Sequence, residues 1–184
     1  MTTVAVCDYG AGNVRSVLSA FRRLGAFASA TSDPDVALAA DLTVLPGVGA
    51  AATAMAGLEE RNLDAALRER VRAGRPTLGI CLGLQLALEQ SEEDGGVPGL
   101  GLLPGRAVRL RDGRVPRMGW ATVEPLGEAF YFAHSYAAET PAATATSEGV
   151  VAVAESGSFL GVQFHPEKSG APGARFLERC LSRA

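Results

Sequence analysis

Nine residues near the middle of the chain, Thr77-Leu78-Gly79-Ile80-Cys81-Leu82-Gly83-Leu84-Gln85, restrict its possible folds more than any other stretch. The first four read as a short buried strand, and Leu82, Leu86 and Ala87 recur at helical spacing just beyond it. One residue, Cys81, is left to make the corner. A strand that turns straight into a helix exposes its corner side chain above the sheet, with the corner backbone in a rarely populated conformation. Glycine on both flanks, Gly79 and Gly83, lets strand and helix approach where a Cβ would collide. The thiol also faces the first turn of the helix, whose unpaired N–H groups and positive dipole end favour thiolate over thiol. Alone, this corner suits a small buried hydrophobe as well as a nucleophile.

Around the corner, strands alternate with helices. Val4-Ala5-Val6-Cys7 leads through Asp8-Tyr9-Gly10-Ala11-Gly12 into a predicted helix over 13–24, with Val14, Val17, Leu18 and Phe21 on one face and Asn13 placed to cap it. A strand over 27–31 and a short helix after Ser32-Asp33-Pro34 precede the strand Leu42-Thr43-Val44-Leu45. Then come Pro46-Gly47-Val48-Gly49, an alanine-rich segment, and a helix over 62–73 that turns Leu63, Ala66, Leu67 and Val71 inward and stops at Gly74 and Pro76. This alternation predicts a three-layer α/β fold, a mostly parallel central sheet with helices on both faces and its ligand crevice at the carboxyl ends of the strands. Cys81 and Pro46-Gly47-Val48-Gly49 both fall at such ends. Beyond residue 88, segments at 107–110, 120–124, 129–133, 150–154 and 159–164 predict antiparallel strands added to the sheet in the C-terminal half, closed by a helix over 173–182. With 184 residues, a single domain over 1–184 is the simplest organisation.

Composition removes several classes of function. The net charge of −3 carries no basic stripe, which argues against nucleic acid. No apolar run reaches membrane-spanning length and no basic leader precedes the first strand, so a cytoplasmic protein off the membrane is expected. Cys7, Cys81 and Cys180, three thiols without close spacing, suit a reduced state. With only His134 and His165 as histidines, no metal site is expected. Gly10-Ala11-Gly12 invites a dinucleotide reading, but the third glycine of that fingerprint falls at Arg15, so no cofactor is expected either.

His165-Pro166-Glu167 supplies what a nucleophilic Cys81 lacks. His165 also stands at a strand's end, and Glu167 can fold back past Pro166 to hold one ring nitrogen while the other faces the thiol. A carboxylate in that role fixes the tautomer and stabilises the imidazolium. General-base help of this sort contributes about 10²- to 10⁴-fold. The acid follows the histidine directly, unlike the nucleophile-acid-histidine order of α/β-hydrolases, which disfavours an esterase. The backbone N–H of Leu82 can serve as one oxyanion donor. Val48 and Gly49 can provide the second, with glycines on both sides of Val48 allowing its peptide to flip.

The cysteine corner together with His165-Pro166-Glu167 resembles the class I glutamine amidotransferases, which hydrolyse the side-chain amide of glutamine through a cysteine thioester. A finer likeness, to members that hand ammonia to a cyclase barrel subunit in histidine biosynthesis, rests on five stretches and runs essentially end to end. They are Asp8-Tyr9-Gly10-Ala11-Gly12-Asn13, Pro46-Gly47-Val48-Gly49, Met118-Gly119-Trp120, Tyr131-Phe132-Ala133-His134-Ser135-Tyr136 and Gln163-Phe164-His165-Pro166-Glu167-Lys168-Ser169. The resemblance implies Cys81 as nucleophile, His165 as base and then acid, and Glu167 as its orienter. It implies that Gln85 and Glu93 hold the amino-acid end of L-glutamine with the backbone of Ser135 and Tyr136, and that Asn13, Trp120 and Lys168 face the cyclase in a heterodimer. The chain departs from the family pattern at Ala121, where asparagine is usual, and at Ala50-Ala51-Ala52, where a bulky aromatic is usual. Members serving aminodeoxychorismate, anthranilate or pyridoxal phosphate synthesis share the chemistry, and a glutamine-sensing module without turnover shares the fold.

Overall fold

The computed structural model describes residues 1–111, 113 and 115–184. Strand β1 (Thr3–Cys7), helix α1 (Val14–Arg23), β2 (Phe27–Thr31), α2 (Pro34–Ala39) and β3 (Leu42–Leu45) open the chain. Helices α3 (Ala51–Glu60) and α4 (Leu63–Arg72) precede β4 (Thr77–Ile80) and α5 (Leu82–Ala87). The short strands β5 (Gln90–Ser91), β6 (Val97–Pro98) and β7 (Arg106–Arg109) come next, then β8 (Arg117–Val123), β9 (Glu128–His134) and β10 (Tyr136–Glu139). Strands β11 (Ala143–Ser147), β12 (Val150–Ser156) and β13 (Phe159–Val162) lead to the last helix, α6 (Gly170–Leu181).

The main sheet has seven strands in the order β11-β12-β13-β4-β3-β1-β2. From β13 across to β2 every pair is parallel, while β11 and β12 run antiparallel to their neighbours. Strands β3 and β4 are buried at every position, because helices cover both faces of a parallel sheet. On one face Val17 and Phe21 of α1 and Phe176 and Leu177 of α6 pack on Val4, Val6, Val44 and Ile80. On the other, Met55 and Leu58 of α3 and Leu63 and Leu67 of α4 pack on Leu45, Leu82 and Leu86.

Several details differ from the sequence reading. The segments at 107–110, 120–124 and 129–133 are not strands of the main sheet: β7 lies in a four-stranded sheet, β10-β7-β5-β6, and β8 pairs with β9, touching the main sheet through an antiparallel bridge from Glu124 to Thr146 of β11. Strand β8 alternates half-buried and exposed residues until Val123, so the ribbon has one face to bury. It lays Val123, Phe130 and Phe132 against the α1–α6 side of the core. The alanine-rich segment is helix α3, which buries Ala51, Ala54, Met55 and Leu58 at helical spacing. Asn13 makes no capping bond to α1, because its side chain is engaged elsewhere. On α4 Arg70 is buried together with Leu63, Ala66 and Leu67, while Val71 is only half-buried.

Candidate active site

Cys81 occupies the corner between β4 and α5 with φ 54° and ψ −105°, a left-handed conformation that side chains rarely adopt. Its N–H donates to the Val162 carbonyl at 2.7 Å, tying the corner to the end of β13. The flanking glycines are required by contact. A Cβ on Gly83 would run into the Leu45 carbonyl oxygen, and one on Gly79 would lie 2.8 Å from Gly83 and 2.7 Å from the Phe159 ring. Because α5 has only six residues, little of a helix dipole reaches the sulfur, and its nearest polar neighbours are side chains and one carbonyl.

His165 is anchored from both sides of its own backbone. Its N–H donates to Tyr131 O at 2.8 Å, and its carbonyl accepts from the Ser169 hydroxyl at 2.6 Å. Nδ1 lies 2.9 Å from Glu167 Oε1, with the two side chains 2% and 1% exposed. The same carboxylate oxygen accepts from Asn13 Nδ2 at 3.3 Å. Burial by itself pulls the imidazole pKa down, but hydrogen bonds to Cys81 and Glu167, and the charges behind them, more than offset this and raise it from 6.5 to about 9. At neutral pH the ring is therefore a cation held between a sulfur and a carboxylate. The sulfur itself lies 3.5 Å from Gln163 Nε2 and 3.8 Å from the Ala133 carbonyl oxygen.

A cavity of about 360 Å³ opens over Cys81, lined by Val48, Gly49, Leu82, Gln85, Glu93, Ser135 and Tyr136 among others. Every residue expected at the oxyanion and substrate positions thus reaches one space. Pro46-Gly47-Val48-Gly49 packs directly on the corner, since a Cβ on Gly47 would lie 2.5 Å from Leu82 Cβ. Tyr9, buried in the loop after β1, donates its hydroxyl to the Pro46 carbonyl and steadies that segment from behind. Gln85 Nε2 donates to Tyr136 O at 2.8 Å and to Gln163 Oε1 at 3.2 Å. Both of its N–H groups are used, so its acceptor oxygen is the end available to a ligand. Glu93 begins a 3-10 turn and accepts from the Ala51 N–H at 2.8 Å, capping α3 while its carboxylate borders the cavity. An acceptor oxygen and a carboxylate on one wall favour a ligand with an ammonium group.

The model of the family described as glutamine amidotransferase class-I matches residues 5–184. The chain belongs to the class I glutamine amidotransferases. It is 47% identical to an imidazole glycerol phosphate synthase subunit HisH of Symbiobacterium thermophilum, over 96% of this chain and 92% of the relative. It is 48% identical to the HisH subunit of Methanothermobacter thermautotrophicus, over 95% of each. The fold is shared with a crystal structure of glutamine amidotransferase (TM-score 0.82, 22% identity, 97% of this chain and 98% of that one) and with PurLQS from Thermotoga maritima (TM-score 0.75, 18% identity, 99% and 98%).

In this amidotransferase the residues expected to face a partner cluster about the turn that carries His165. Lys168 is exposed in the 3-10 turn Pro166–Lys168, and Asn13 bonds to Glu167 in the same turn. Trp120 stacks edge-on against Tyr131, whose backbone binds both His165 and Ser169. Trp120 and Met118 are 58% and 65% exposed, unusual for large apolar side chains. The names of the HisH relatives, as subunits of a synthase, imply a partner subunit. Among the described residues no helix is long and apolar enough to cross a membrane.

Two buried polar residues of the site were missed from sequence, Gln163 and Tyr9. Gln163 had a signal: it is the one amide in the apolar run Phe159-Leu160-Gly161-Val162-Gln163-Phe164, where a buried polar side chain needs a partner.

The two histidines of the site oppose each other in pH dependence. His134 donates from Nδ1 to Tyr136 O at 2.8 Å. Burial lowers its pKa from 6.5 to about 4, the bond to Tyr136 opposes this, and the charges of Arg117 and His165 add to the lowering. Its contribution to stability is complete above pH 6.5 and is lost as pH falls toward 4. That of His165 is complete below pH 6.5 and is lost as pH rises through about 9. Urea midpoints measured against pH should therefore peak near 6.5. His134→Asn should flatten the acid limb and His165→Asn the alkaline one, whereas unchanged limbs in both variants would contradict these charge states.

Proposed function

We propose that this amidotransferase is the glutaminase subunit of an imidazole glycerol phosphate synthase, in which it passes ammonia to a cyclase barrel subunit that makes imidazole glycerol phosphate in the cyclising step of histidine biosynthesis. The observation that carries the reading is the His165 ring, held by Glu167 and turned to Cys81 beside a cavity lined by Gln85 and Glu93, in a chain nearly half identical to HisH subunits.

In this reading L-glutamine enters with its ammonium toward Glu93 and Gln85 and its carboxylate toward the backbone of Ser135 and Tyr136. Cys81 Sγ attacks the side-chain carbonyl carbon. The oxyanion that forms takes hydrogen bonds from the Leu82 N–H and from the Val48–Gly49 segment. His165, already protonated, gives its proton to the departing nitrogen, and ammonia leaves as the carbon–nitrogen bond breaks. The thioester is then hydrolysed: a water gives its proton to His165, attacks the carbonyl, and releases glutamate as the carbon–sulfur bond breaks and the sulfur regains its charge.

Asn13, Trp120 and Lys168 form the docking face for the cyclase, with exposed Met118 adding apolar area. Val48 is the regulatory point, its peptide turning toward the substrate when the partner binds. Glutamine hydrolysis should be measured for the subunit alone, with the cyclase, and with the cyclase plus its ribonucleotide ligand. The expected result is slow turnover alone and a rise of about 10²-fold or more in the liganded complex, the size of one oxyanion donor gained. Equal turnover in all three samples would refute the coupling.

A further inference from the structure

Gln163 has no role in the mechanism so far, yet it is fully buried and touches the reacting atom. We propose that the Gln163 side-chain amide donates to the Cys81 sulfur and stabilises it as the attacking anion, and that Gln85 holds that amide in the donating orientation. The inference deepens the glutaminase reading, on which it rests for the role of the sulfur.

The orientation follows from donor and acceptor chemistry. A backbone carbonyl only accepts, so the Gln85 atom 2.8 Å from Tyr136 O is the NH₂ group. That nitrogen also lies 3.2 Å from the Gln163 amide, which must offer its oxygen there. The NH₂ end of Gln163 is then the end at 3.5 Å from Sγ. Reversing either amide alone would set like groups against each other. Across the sulfur, the Ala133 carbonyl at 3.8 Å can accept from an S–H but repels a thiolate. One neighbour favours the neutral thiol, and Gln163, with the His165 cation, favours the anion. The same relay ends at Gln85, whose free oxygen borders the substrate cavity, so the nucleophile and the substrate wall share one line of hydrogen bonds.

Alkylation of Cys81 by iodoacetamide tests this in the full-length chain, read at Cys81 by peptide mass spectrometry so that Cys7 and Cys180 do not contribute. Gln163→Met, which fills similar volume without a donor, should move the rate–pH profile upward by about one pH unit and slow alkylation about tenfold on the acid limb of that profile. Gln163→Glu should move it further, because a carboxyl group and the sulfur would compete for one negative charge. In the unsubstituted chain, the ¹⁵N-labelled side-chain amide of Gln163 should shift with the same pH midpoint as alkylation, a readout that does not depend on any variant folding. Profiles that superimpose on the parent, or an amide resonance that stays fixed while Cys81 titrates, would overturn the inference. Displaced profiles in a chain that fails to hydrolyse glutamine with the cyclase would support the role of Gln163 while rejecting the proposed function.

Discussion

Cys81→Ala is expected to abolish glutamine-driven synthesis by the complex, a loss of about 10⁴-fold or more, while synthesis from added ammonia continues. In the proposed mechanism Cys81 carries the acyl intermediate, and neither His165 nor the proposed oxyanion donors can replace it. The ammonia arm matters because it shows that the partner still folds and binds. Residual glutamine hydrolysis within tenfold of the parent would exclude a thioester at Cys81. The same position stores conformational energy, since its φ of 54° costs a side-chain-bearing residue about 1–3 kcal/mol. Cys81→Gly should therefore be more stable than Cys81→Ala by about 1 kcal/mol in urea denaturation, the reverse of the usual order for these two residues. A glycine variant less stable than the alanine variant would mean that the corner is unstrained.

The corner was legible in sequence because each of its requirements leaves a residue-specific mark: glycines where strand and helix touch, a cysteine at the one position between them, and a histidine with its carboxylate two positions on. The parallel half of the sheet was legible for a similar reason, since continuous apolar runs such as Leu42-Thr43-Val44-Leu45 are affordable only between two covering layers. The C-terminal half was harder to read. Segments such as 120–124 alternate in a way that fixes a strand but not its partner, and pairing is decided by distant contacts, here Phe130 and Phe132 against Phe164. Asn13 shows the limit of local rules. Its type and place suit a helix cap, yet its amide goes to Glu167, 154 residues away in sequence, because a buried carboxylate needs donors more than a helix end near solvent does. Glu93 reverses the case, as the acidic stretch Glu92-Glu93-Asp94, whose composition alone suits a solvated surface, supplies the side chain that caps α3.

Arg70 is expected to be the most costly surface-type residue to replace, although it lies far from the chemistry. It is 1% exposed, and its guanidinium donates to four carbonyls: Ala37, Leu38, Asp41 and Pro76. Two of these are acceptors left over in the last turn of α2, and the other two precede β3 and β4. Burial lowers its pKa from 12.5 to about 10, with the Arg75 charge adding to this while Cys7 and Asp41 oppose it, so it remains a cation at neutral pH. No neutral side chain could satisfy so many acceptors at once. Arg70→Leu should cost about 3–5 kcal/mol, because it removes five charged hydrogen bonds from a buried site at once, even though Ala37 O keeps the Thr43 hydroxyl, Leu38 O keeps Arg75 and Pro76 O keeps the Thr43 N–H. For a chain of this length that is a fall in melting temperature of about 10–15 °C. Arg70→Lys should lose less, since an ammonium keeps the charge but cannot reach acceptors set in a planar fork. The position of Arg70 also predicts what will not change. It staples the amino ends of β3 and β4, whereas Cys81 and Pro46-Gly47-Val48-Gly49 stand at their carboxyl ends. In Arg70→Lys, alkylation of Cys81 at 25 °C should therefore match the parent while thermal unfolding comes earlier. A matching fall in both would mean that the stabilising and reactive ends of the sheet are not separable.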